Sequence, residues 1–396
     1  LNDPAYYVKS DSILYNTETE TARFIAQTFI RDSTGRTVNT TDGFYNLKSG
    51  NAQFGRRSVI NDKSLQVTGD VIYNDDSLGI IQIDGNGIVR DTAEGRTVIA
   101  NKIFVDKNKD AFLATQNPVM IIRQDNDSIF VAADTLFSAR LTDLYGPEKK
   151  DSSAGYTDSL SLAKKDSGAD SLSLKKGIAA PAADTAVAKE YVKDTLVVDV
   201  SKTDPGKDST NRYFEAFRHV RVYSDSLQAV CDSLFYSFKD SAFRLYYNPV
   251  VWTKENQVTG DTILLFTQNK KASKMEVFNN SFLIAQTDPG IFNQVRSRRI
   301  DAWFTDGSID SARARGGAQS IYFVQDKDSA YTGVNQSECD LYDIYFWQQE
   351  LKRIVARNNV KGTLWPIRQK RPADMRLESF QWLDDRRPKS KYELFD

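Results

Sequence analysis

The residues that could do chemistry in this chain are few, and their spacing does not favour a catalytic centre. The single histidine, His219, alternates with apolar residues in the run Phe-Arg-His-Val-Arg-Val, which favours a strand position over a general base. Cys231 and Cys339 lie far apart and no Cys-x-x-Cys pair occurs, so a His/Cys zinc site would have too few ligands. The sequence leaves open whether the two cysteines pair.

A run of polar residues begins like a calcium-binding loop. Asp106, Asn108 and Asp110 have the right spacing, but Ala111 stands where a glycine is needed and Asn117 where a glutamate is needed. We therefore predict a polar hairpin turn here, with no metal and no cofactor. Because aspartate is abundant, the carboxylate pair of a β-helix polysaccharide lyase stays open as an alternative, although the sequence as a whole predicts no enzyme.

The overall charge argues against a general nucleic-acid binder. Lysine and arginine number 52, aspartate and glutamate 53, and the formal net charge is −1. The best local basic stretch is Arg296, Arg298 and Arg299, whose ordinary interpretation is a solvated strand face. No apolar run approaches the ~20 residues of a membrane-spanning helix. No signal peptide is visible after Leu1, and we expect processing or a sequence boundary before that residue.

A repeated unit runs along most of the chain. Each copy starts with an aspartate or asparagine and continues through apolar residues to an aromatic residue, followed by a polar turn and a second alternating stretch. Because the aspartate recurs at one position of the unit, we expect it to act at a turn or strand start rather than in catalysis. The copies start at Asp11, Asp42, Asp70, Asn101, Asp134, Asp232, Asp261, Asp301 and Asp343.

The repeat predicts an all-β array of stacked hairpins with an apolar interior. Large apolar residues two positions after the repeat aspartate would share one face of the array, because strand side chains alternate. The opposite parity stays open, since both columns are apolar, and composition alone favours a filled core over an open slot. The residues predicted to line the interior are Ile13, Phe24, Phe44, Ile72, Ile103, Leu113, Leu136, Leu234, Ile263, Met275 and Trp303.

Composition divides the chain into four regions. Residues 1–145 form the first part of the array, and residues 212–366 continue it. Between them, residues 146–211 are a low-complexity insert, predicted to be a disordered, overgrown hairpin turn. Residues 367–396 are a charged tail with a predicted short helix, whose Phe380 and Trp382 we expect to cap one end of the array.

The repeat motif resembles a known family. The pattern Asp-x-Ile/Leu-x-Tyr, turn, alternating strand is similar to the OstA/LptA-like domain of lipopolysaccharide transport, which includes LptA, the soluble part of LptC and the N-terminal domain of LptD. The best copies begin at Asp11, Asp70, Asp134 and Asp261, and the sequence looks closest to the long OstA-like proteins of Bacteroidetes-type bacteria. The chain differs in its length, its insert and its tail, and we expect no membrane barrel of the LptD type.

The resemblance implies a fold and a function. The fold would be an antiparallel β-jellyroll, or β-taco, with an open apolar interior that shields lipid acyl chains. The chain would act in the periplasm, associated with the cell envelope, and pass lipopolysaccharide or a related lipid toward the outer membrane. Its edge strands would join LptA-, LptC- or LptD-like jellyroll domains, or further copies of itself head to tail. A structural β-solenoid or adhesin with a filled core is the main alternative, and a polysaccharide lyase the second.

Overall fold

A computed structural model gives the fold of residues 6–123, 128–145, 211–268, 271–306, 308–348 and 350–395, which are the residues described below. Apart from Asn211, the predicted low-complexity insert lies outside these residues, and its disorder stays a prediction. The strands that flank the insert, residues 135–140 and 212–217, are antiparallel neighbours. Within the described residues, no helix has the length and hydrophobicity needed to cross a membrane.

Before the insert the chain forms short strands and one short helix. The strands are β1 Tyr6–Ser10, β2 Ile13–Asn16, β3 Thr21–Phe24, β4 Thr28–Asp32, β5 Thr37–Thr40, β6 Gly43–Asn46, β7 Asn51–Phe54, β8 Ser58–Asp62, β9 Leu65–Gly69, β10 Val71–Asp75, β11 Ile80–Asp91, β12 Arg96–Asp106, β13 Ala111–Thr115, β14 Val119–Arg123, β15 Ser128–Ala132 and β16 Thr135–Arg140. The helix α1 is Leu141–Tyr145.

After the insert several strands are longer. They are β17 Arg212–Tyr223, β18 Gln228–Ser237, β19 Ala242–Tyr246, β20 Val250–Thr253, β21 Asn256–Thr259, β22 Thr262–Gln268, β23 Lys271–Asp288, β24 Ile291–Thr305, β25 Ser308–Gln325, β26 Tyr331–Trp347, β27 Glu350–Arg357 and β28 Lys361–Pro366. In the tail the described residues contain only short 3-10 turns, at Ile367–Gln369, Pro372–Asp374, Asp384–Arg386 and Lys391–Leu394.

The hairpin turns follow from Asn and Asp side chains that accept hydrogen bonds from the backbone two or three residues later. Asn16 and Asn46 do this after β2 and β6. In the run that begins like a calcium loop, Asp106 Oδ1 accepts from the backbone nitrogens of Asn108 and Lys109, at 3.0 and 3.1 Å. The prediction of a polar hairpin turn there is confirmed.

Antiparallel pairing arranges the strands into two half-sheets. Half-sheet I contains β1, β4, β5, β8, β9, β14, β15, β20, β21 and β28, and half-sheet II contains β2, β3, β6, β7, β10, β13, β16, β19, β22 and β27. The long strands β11, β12, β17, β18 and β23 to β26 contribute one part to each. We call the line along which the chain crosses between the half-sheets the spine, and the facing hairpin turns on the opposite side the mouth.

The inner faces of the half-sheets meet in one apolar cluster that extends from the first strands to the last. On half-sheet II, register partners form a row of inward-facing residues, because paired residues of neighbouring strands lie on the same face. The row runs through Ile13, Phe24, Gly43, Phe54, Ile72, Ile83, Ile103, Ala114, Leu136, Ala216, Leu234, Leu245, Ile263, Val277, Ile300, Ala314, Tyr342 and Ala356.

The spine is built from a repeated backbone irregularity. At every crossing from half-sheet II to half-sheet I after the first, which joins β3 to β4, two consecutive residues have positive φ, a conformation that asparagine and glycine tolerate best. Among the described residues these pairs are Arg56–Arg57, Gly85–Asn86, Gln116–Asn117, Arg218–His219, Tyr247–Asn248, Asn279–Asn280, Gly316–Gly317 and Asn358–Asn359. Each pair turns the chain out of one half-sheet and into the other.

The repeat aspartate fastens this irregularity. The backbone nitrogen of Asp70 donates to the oxygen of Gly85 at 2.9 Å, and the Asn86 amide donates to the Asp70 carboxylate at 2.7 Å. Three equivalent contacts join Asn280 to Asp261, Asn359 to Asp340 and His219 Nδ1 to Asp134. The expected structural role of the aspartate at strand starts is confirmed, and His219 is part of the spine.

Two copies of the repeat were assigned in the wrong register. Asp301 and Asp343 lie on the outer face of half-sheet II, buried among arginines, and do not contact the spine. The aspartate that fastens the last crossing is Asp340, and the preceding crossing has Arg298 in its place. Both shifted assignments came from Asp-x-aromatic patterns that the outer face also provides.

The tail forms a strap over the outer face of half-sheet I. We call residues 367–395 the strap; it passes from β28 back toward β14. Phe380 and Trp382 pack on Phe282 and Phe292, so the expectation that they cap an end of the array is wrong. The cause is that this part of half-sheet I is apolar on both faces and therefore needs a cover.

Candidate functional site

The candidate site is the interior between the half-sheets, and eight of the eleven predicted residues line it. Ile13 is half-buried at the first edge and packs against the main cluster. The other seven are buried in that cluster: Phe24, Ile72, Ile103, Leu136, Leu234, Ile263 and Met275. All eight belong to half-sheet II, so the repeat motif identified one wall of the interior.

Phe44 lies on the outer face instead, 39% exposed, so its predicted inward placement is wrong. In the second repeat copy the inward-facing position comes one residue earlier after the aspartate, so Gly43 is the partner of Phe24 and Phe54. The rings of Phe24 and Phe54 stack at 6.3 Å. A Cβ on Gly43 would lie 2.2 Å from the Gln53 oxygen, so only glycine fits there.

Trp303 and Leu113 are also outside, which corrects two further predictions. Trp303 is 39% exposed, because its assignment rested on Asp301 as a repeat aspartate; Ala302 faces inward beside it. Leu113 is the register partner of Phe104 and so lies on the outer face, while Ala114 faces inward. Both columns of that strand are apolar, and alternation alone could not decide between them.

The interior is packed rather than splayed along the described residues. Ile72, Ile83 and Ile103 are fully buried and in the same cluster as Val67 and Val89 of the facing half-sheet. The enclosed space near the first edge has a volume of about 10 Å³, room for about one water molecule. It is lined by Tyr6, Ile30, Asp32, Arg36, Val38, Tyr45, Phe54, Ile60 and Asn74.

A polar clasp joins the two half-sheets at the mouth near the first edge. Arg36, after the first turn of half-sheet I, donates through Nη2 to Asp76 Oδ2 of half-sheet II at 2.8 Å. Tyr45 donates to the same carboxylate at 3.2 Å, and its hydroxyl lies 3.0 Å from that of Tyr6. Lys107 lies 3.8 Å away. We call these five residues the clasp.

The clasp holds Asp76 in its charged form. Burial alone would raise the pKa of Asp76, but hydrogen bonds from Arg36 and Asn74 and the nearby cations lower that pKa to about 2. Burial, together with the hydrogen bond to Tyr6, raises the pKa of Tyr45. Asp76 therefore stays charged and Tyr45 stays neutral over the ordinary pH range.

A second contact crosses the mouth farther along. The guanidinium of Arg96, on half-sheet I, lies 4.7 Å from the ring centre of Phe238, which follows β18 on half-sheet II. Asp91 and Glu94 lie 3.7 Å from the same guanidinium. Burial is the main cause that lowers the pKa of Arg96. The mouth is thus closed by a few polar contacts, whereas the spine is continuous backbone.

The interior ends at two pairs of edge strands. At one end are β1 and β2, where Leu14 and Tyr15 are exposed; at the other are β27 and β28, where Leu364 is exposed. Among the described residues, β2 pairs only with β3, and β27 and β28 each pair only with β26. Such edges can accept a further strand from another chain.

The remaining chemistry-bearing residues do not form a second centre. Cys231 and Cys339 are both buried and free, and burial raises the pKa of the Cys231 thiol to about 12. Within the described part of the chain, no group of three or more His, Cys, Asp or Glu side chains is arranged to hold a metal ion.

Sequence reasoning missed the clasp and the strap contacts. Arg36, Asp76 and Arg96 lie in or beside polar turns that look ordinary in the sequence. They meet their partners only because turns that are distant in the sequence face one another in the fold. The strap does have a signal in the sequence: Val250-Val251-Trp252, for example, is apolar without alternation, which is typical of a strand buried on both faces.

The pairing and the apolar interior define the class of the protein: an all-β antiparallel jellyroll of two half-sheets folded on one another. No protein-family profile matches the chain, and no curated protein matches it. Among solved structures it is similar to LptH of Pseudomonas aeruginosa, described as the LptA homologous periplasmic component of the conserved lipopolysaccharide transport device. The identity is 14% and the TM-score 0.29, over 35% of this chain and 95% of that one.

Proposed function

We propose that this chain is a periplasmic lipid carrier. It would hold the acyl chains of lipopolysaccharide, or of a related lipid, between its half-sheets and pass them toward the outer membrane. The observation that supports this most is the single apolar interior, which runs from one pair of edge strands to the other. The similarity of the repeat to OstA/LptA-like domains points to the same function.

The energetics require that the half-sheets separate at the mouth. An acyl segment of about ten methylenes gains about 8 kcal/mol on leaving water, at about 0.8 kcal/mol per CH₂. Inserting it displaces contacts between the half-sheets, so the net gain is smaller than this. The spine residues need not move, because the lipid would replace apolar contacts with apolar contacts.

The clasp is weak enough to permit this opening. Arg36 and Asp76 retain 12% and 28% of their side-chain exposure, so their ion pair is only partly shielded from water. Pairs in such positions contribute about 1 kcal/mol or less. Breaking the clasp therefore costs much less than the lipid can gain.

We propose that the edge strands are the attachment points of the bridge. The outer edges of β2 at one end, or of β27 and β28 at the other, would add to the edge of an LptA-, LptC- or LptD-like jellyroll or of a second copy, head to tail. No enzymatic activity and no nucleic-acid binding are part of this proposal.

The packed interior favours a second candidate, a structural β-array that binds only through its exterior. The small space of about 10 Å³ is what such a filled core would have. The two candidates differ in one property. A carrier must open at the mouth when lipid binds, and a structural array must not.

The distance across the mouth tests the proposal. Spin labels at Thr34 and Ser77 would report on the two facing turns, in a chain whose buried Cys231 and Cys339 are replaced by alanine. We expect the distance to increase when lipid A is added, and mass spectrometry to find lipid bound to the purified chain. Labels at Thr34 and Lys63, both on half-sheet I, are the control and should keep their separation. An unchanged distance with no bound lipid would favour the structural array.

A further inference from the structure

One crossing of the spine lacks the repeat aspartate that fastens other crossings. Ile263 and Ile300 both pair with Val277, so the residues two positions before them, Asp261 and Arg298, occupy the same place in the repeat. Asp261 accepts hydrogen bonds from Asn280. At the crossing of Arg298 an arginine therefore replaces the carboxylate, and the charge of the position is reversed.

The residues opposite Arg298 have changed with it. Gly316 and Gly317 take the place of the Asn279–Asn280 pair, with φ values of 86° and 63°. A Cβ on Gly316 would lie 3.0 Å from the Cβ of Arg298, a tight contact, whereas the space over Gly317 is open. This crossing has an exposed cation and bare backbone where others have a closed aspartate–asparagine contact.

A groove lies over this crossing, between the spine and the strap. Its volume is about 390 Å³, and its lining includes Asn280, Arg296, Arg298 and Gly317. Arg296 is paired with Glu378 of the strap at 3.0 Å. Among the described residues, Arg298 has no carboxylate within ion-pair distance.

The groove continues into a neighbouring one that contains a second cation. This second groove, of about 540 Å³, shares Asn280 and Arg296 with the first and adds Arg386 of the strap. Arg386 likewise has no carboxylate partner in the part of the chain that the structure describes. Arg298 and Arg386 thus border two adjoining polar grooves, whose linings also include the carboxylates of Glu378 and Asp261.

We infer that the first groove binds a phosphate group, held by Arg298 with the Gly316–Gly317 backbone beside it. Guanidinium groups match phosphate oxygens in pairs of parallel hydrogen bonds, and consecutive backbone N–H groups at a turn can add further donors. Arg296 would turn from Glu378 toward the same oxygens. The groove is large enough for a phosphorylated sugar or a lipid headgroup.

The proposed phosphate site is separate from the apolar interior. It lies under the strap on the outside of the spine, whereas the apolar row lies inside, with Ile300 buried only two residues from Arg298. Acyl chains in the interior would leave through the mouth, on the opposite side from the spine. The phosphate would therefore belong to a second molecule, either a soluble phosphorylated sugar or a headgroup at a membrane surface.

Titration of the full chain with inorganic phosphate tests this inference. We expect saturable changes in the amide resonances of Gly316 and Gly317 in glycine-labelled protein, with a Kd in the millimolar range and weaker binding at high salt. Arg298→Asp should weaken binding at least tenfold. The combination of Arg298→Asp with Gly317→Asn rebuilds the aspartate–asparagine contact of the other crossings, so this chain should stay folded while binding is lost.

Arg218→Asp is the matched control, since Arg218 is an exposed spine arginine at another crossing. It should leave phosphate binding unchanged. Glucose 6-phosphate and vesicles containing phosphatidic acid distinguish the two sources: binding of the sugar alone indicates a soluble ligand, and binding of the vesicles a headgroup. Absence of saturable changes with phosphate, or equal binding by the Arg298→Asp variant, would overturn the inference.

Discussion

Two regions of half-sheet I have the same strand pairing but different outer faces. In β4 and β5 the inner residues Ile30 and Val38 are buried, while the outer residues Arg31 and Asn39 are exposed. In β23 and β25 the outer residues are themselves apolar and buried, and they pack against the strap. The first region is stabilised from the inside only, and the second from both sides.

The sequence itself shows this difference: apolar and polar residues alternate in the first region, and apolar residues are continuous in the second. The strands near the first edge alternate apolar and polar residues, which is typical of a sheet with one face in water. Phe282-Leu283-Ile284 and Ile321-Tyr322-Phe323 are continuous apolar runs, which predict burial of both faces. A continuous run in an antiparallel strand is therefore a signal that another segment covers it.

Removal of the strap should have the largest effect. A chain that ends at residue 371 would expose the outer apolar face and lose the burial of Met375, Leu377 and Leu394. Each such side chain contributes about 1.5–3 kcal/mol when fully buried. We expect aggregation in size-exclusion chromatography and a lower Tm, with faster amide exchange in β23 to β25 than in β4 and β5. Adding residues 372–396 as a separate peptide should restore protection; equal protection in the truncated chain would contradict a structural role of the strap.

Shortening a buried side chain of the interior should have the second-largest effect, and its consequences should differ between the two regions. Ile72 and Ile263 are both fully buried, and changing either to alanine costs about 2–5 kcal/mol. Because β10 has no second cover, we expect Ile72→Ala to open its neighbours to amide exchange, whereas Ile263→Ala should leave the half-sheet I parts of β23 to β25 protected under the strap. Tyr73→Ala, at a 42% exposed outer position, is the control and should cost less than about 1 kcal/mol. Identical exchange patterns for both isoleucine variants would count against the comparison.

A single glutamine should show how the strap is held. Gln294 is fully buried; its side chain donates to the Met375 oxygen at 2.9 Å and accepts from the Leu377 nitrogen at 2.8 Å. Gln294→Ala leaves both backbone groups unsatisfied, at about 1–3 kcal/mol, and should speed amide exchange at Leu377. The exposed Gln336 offers a control whose change to alanine should have no such effect. Exchange at Leu377 that is the same in both variants would rule out this role.

The sequence predicted the fold class, the hairpin turns and part of one wall of the interior, because these depend on local alternation and on a repeat. It failed at Phe44, where one missing residue shifted the register onto Gly43, and at Trp303, where the outer face imitates the motif. The facing wall, the clasp and the strap depend on which distant turns and segments meet. Gln294 illustrates this, because nothing near it in the sequence indicates that residues 375 and 377 are its partners.

The smallest expected effect concerns pH at the mouth of the region without a strap. The fold favours the charged form of Asp76, so the stability it adds is complete above about pH 4, the pKa range of an unfolded aspartate, and is lost as pH falls toward about 2. In Asp76→Asn this part of the pH dependence should disappear, with a loss of roughly 1 kcal/mol at neutral pH because the pair is partly exposed.

Denaturant unfolding between pH 2 and pH 6 measures this effect, and amide exchange locates it. On acidification β4 and β10 should lose protection before β23 to β25, whose strap is held mainly by neutral glutamine contacts and apolar side chains, with one exposed ion pair, Arg296–Glu378. Lys9→Gln is a charge-changing control away from the clasp, on the outer face of β1, and should leave the pH profile unchanged. If Asp76→Asn kept the full acid sensitivity, other carboxylates would have to close the mouth, and the clasp would contribute only to the alignment of the turns.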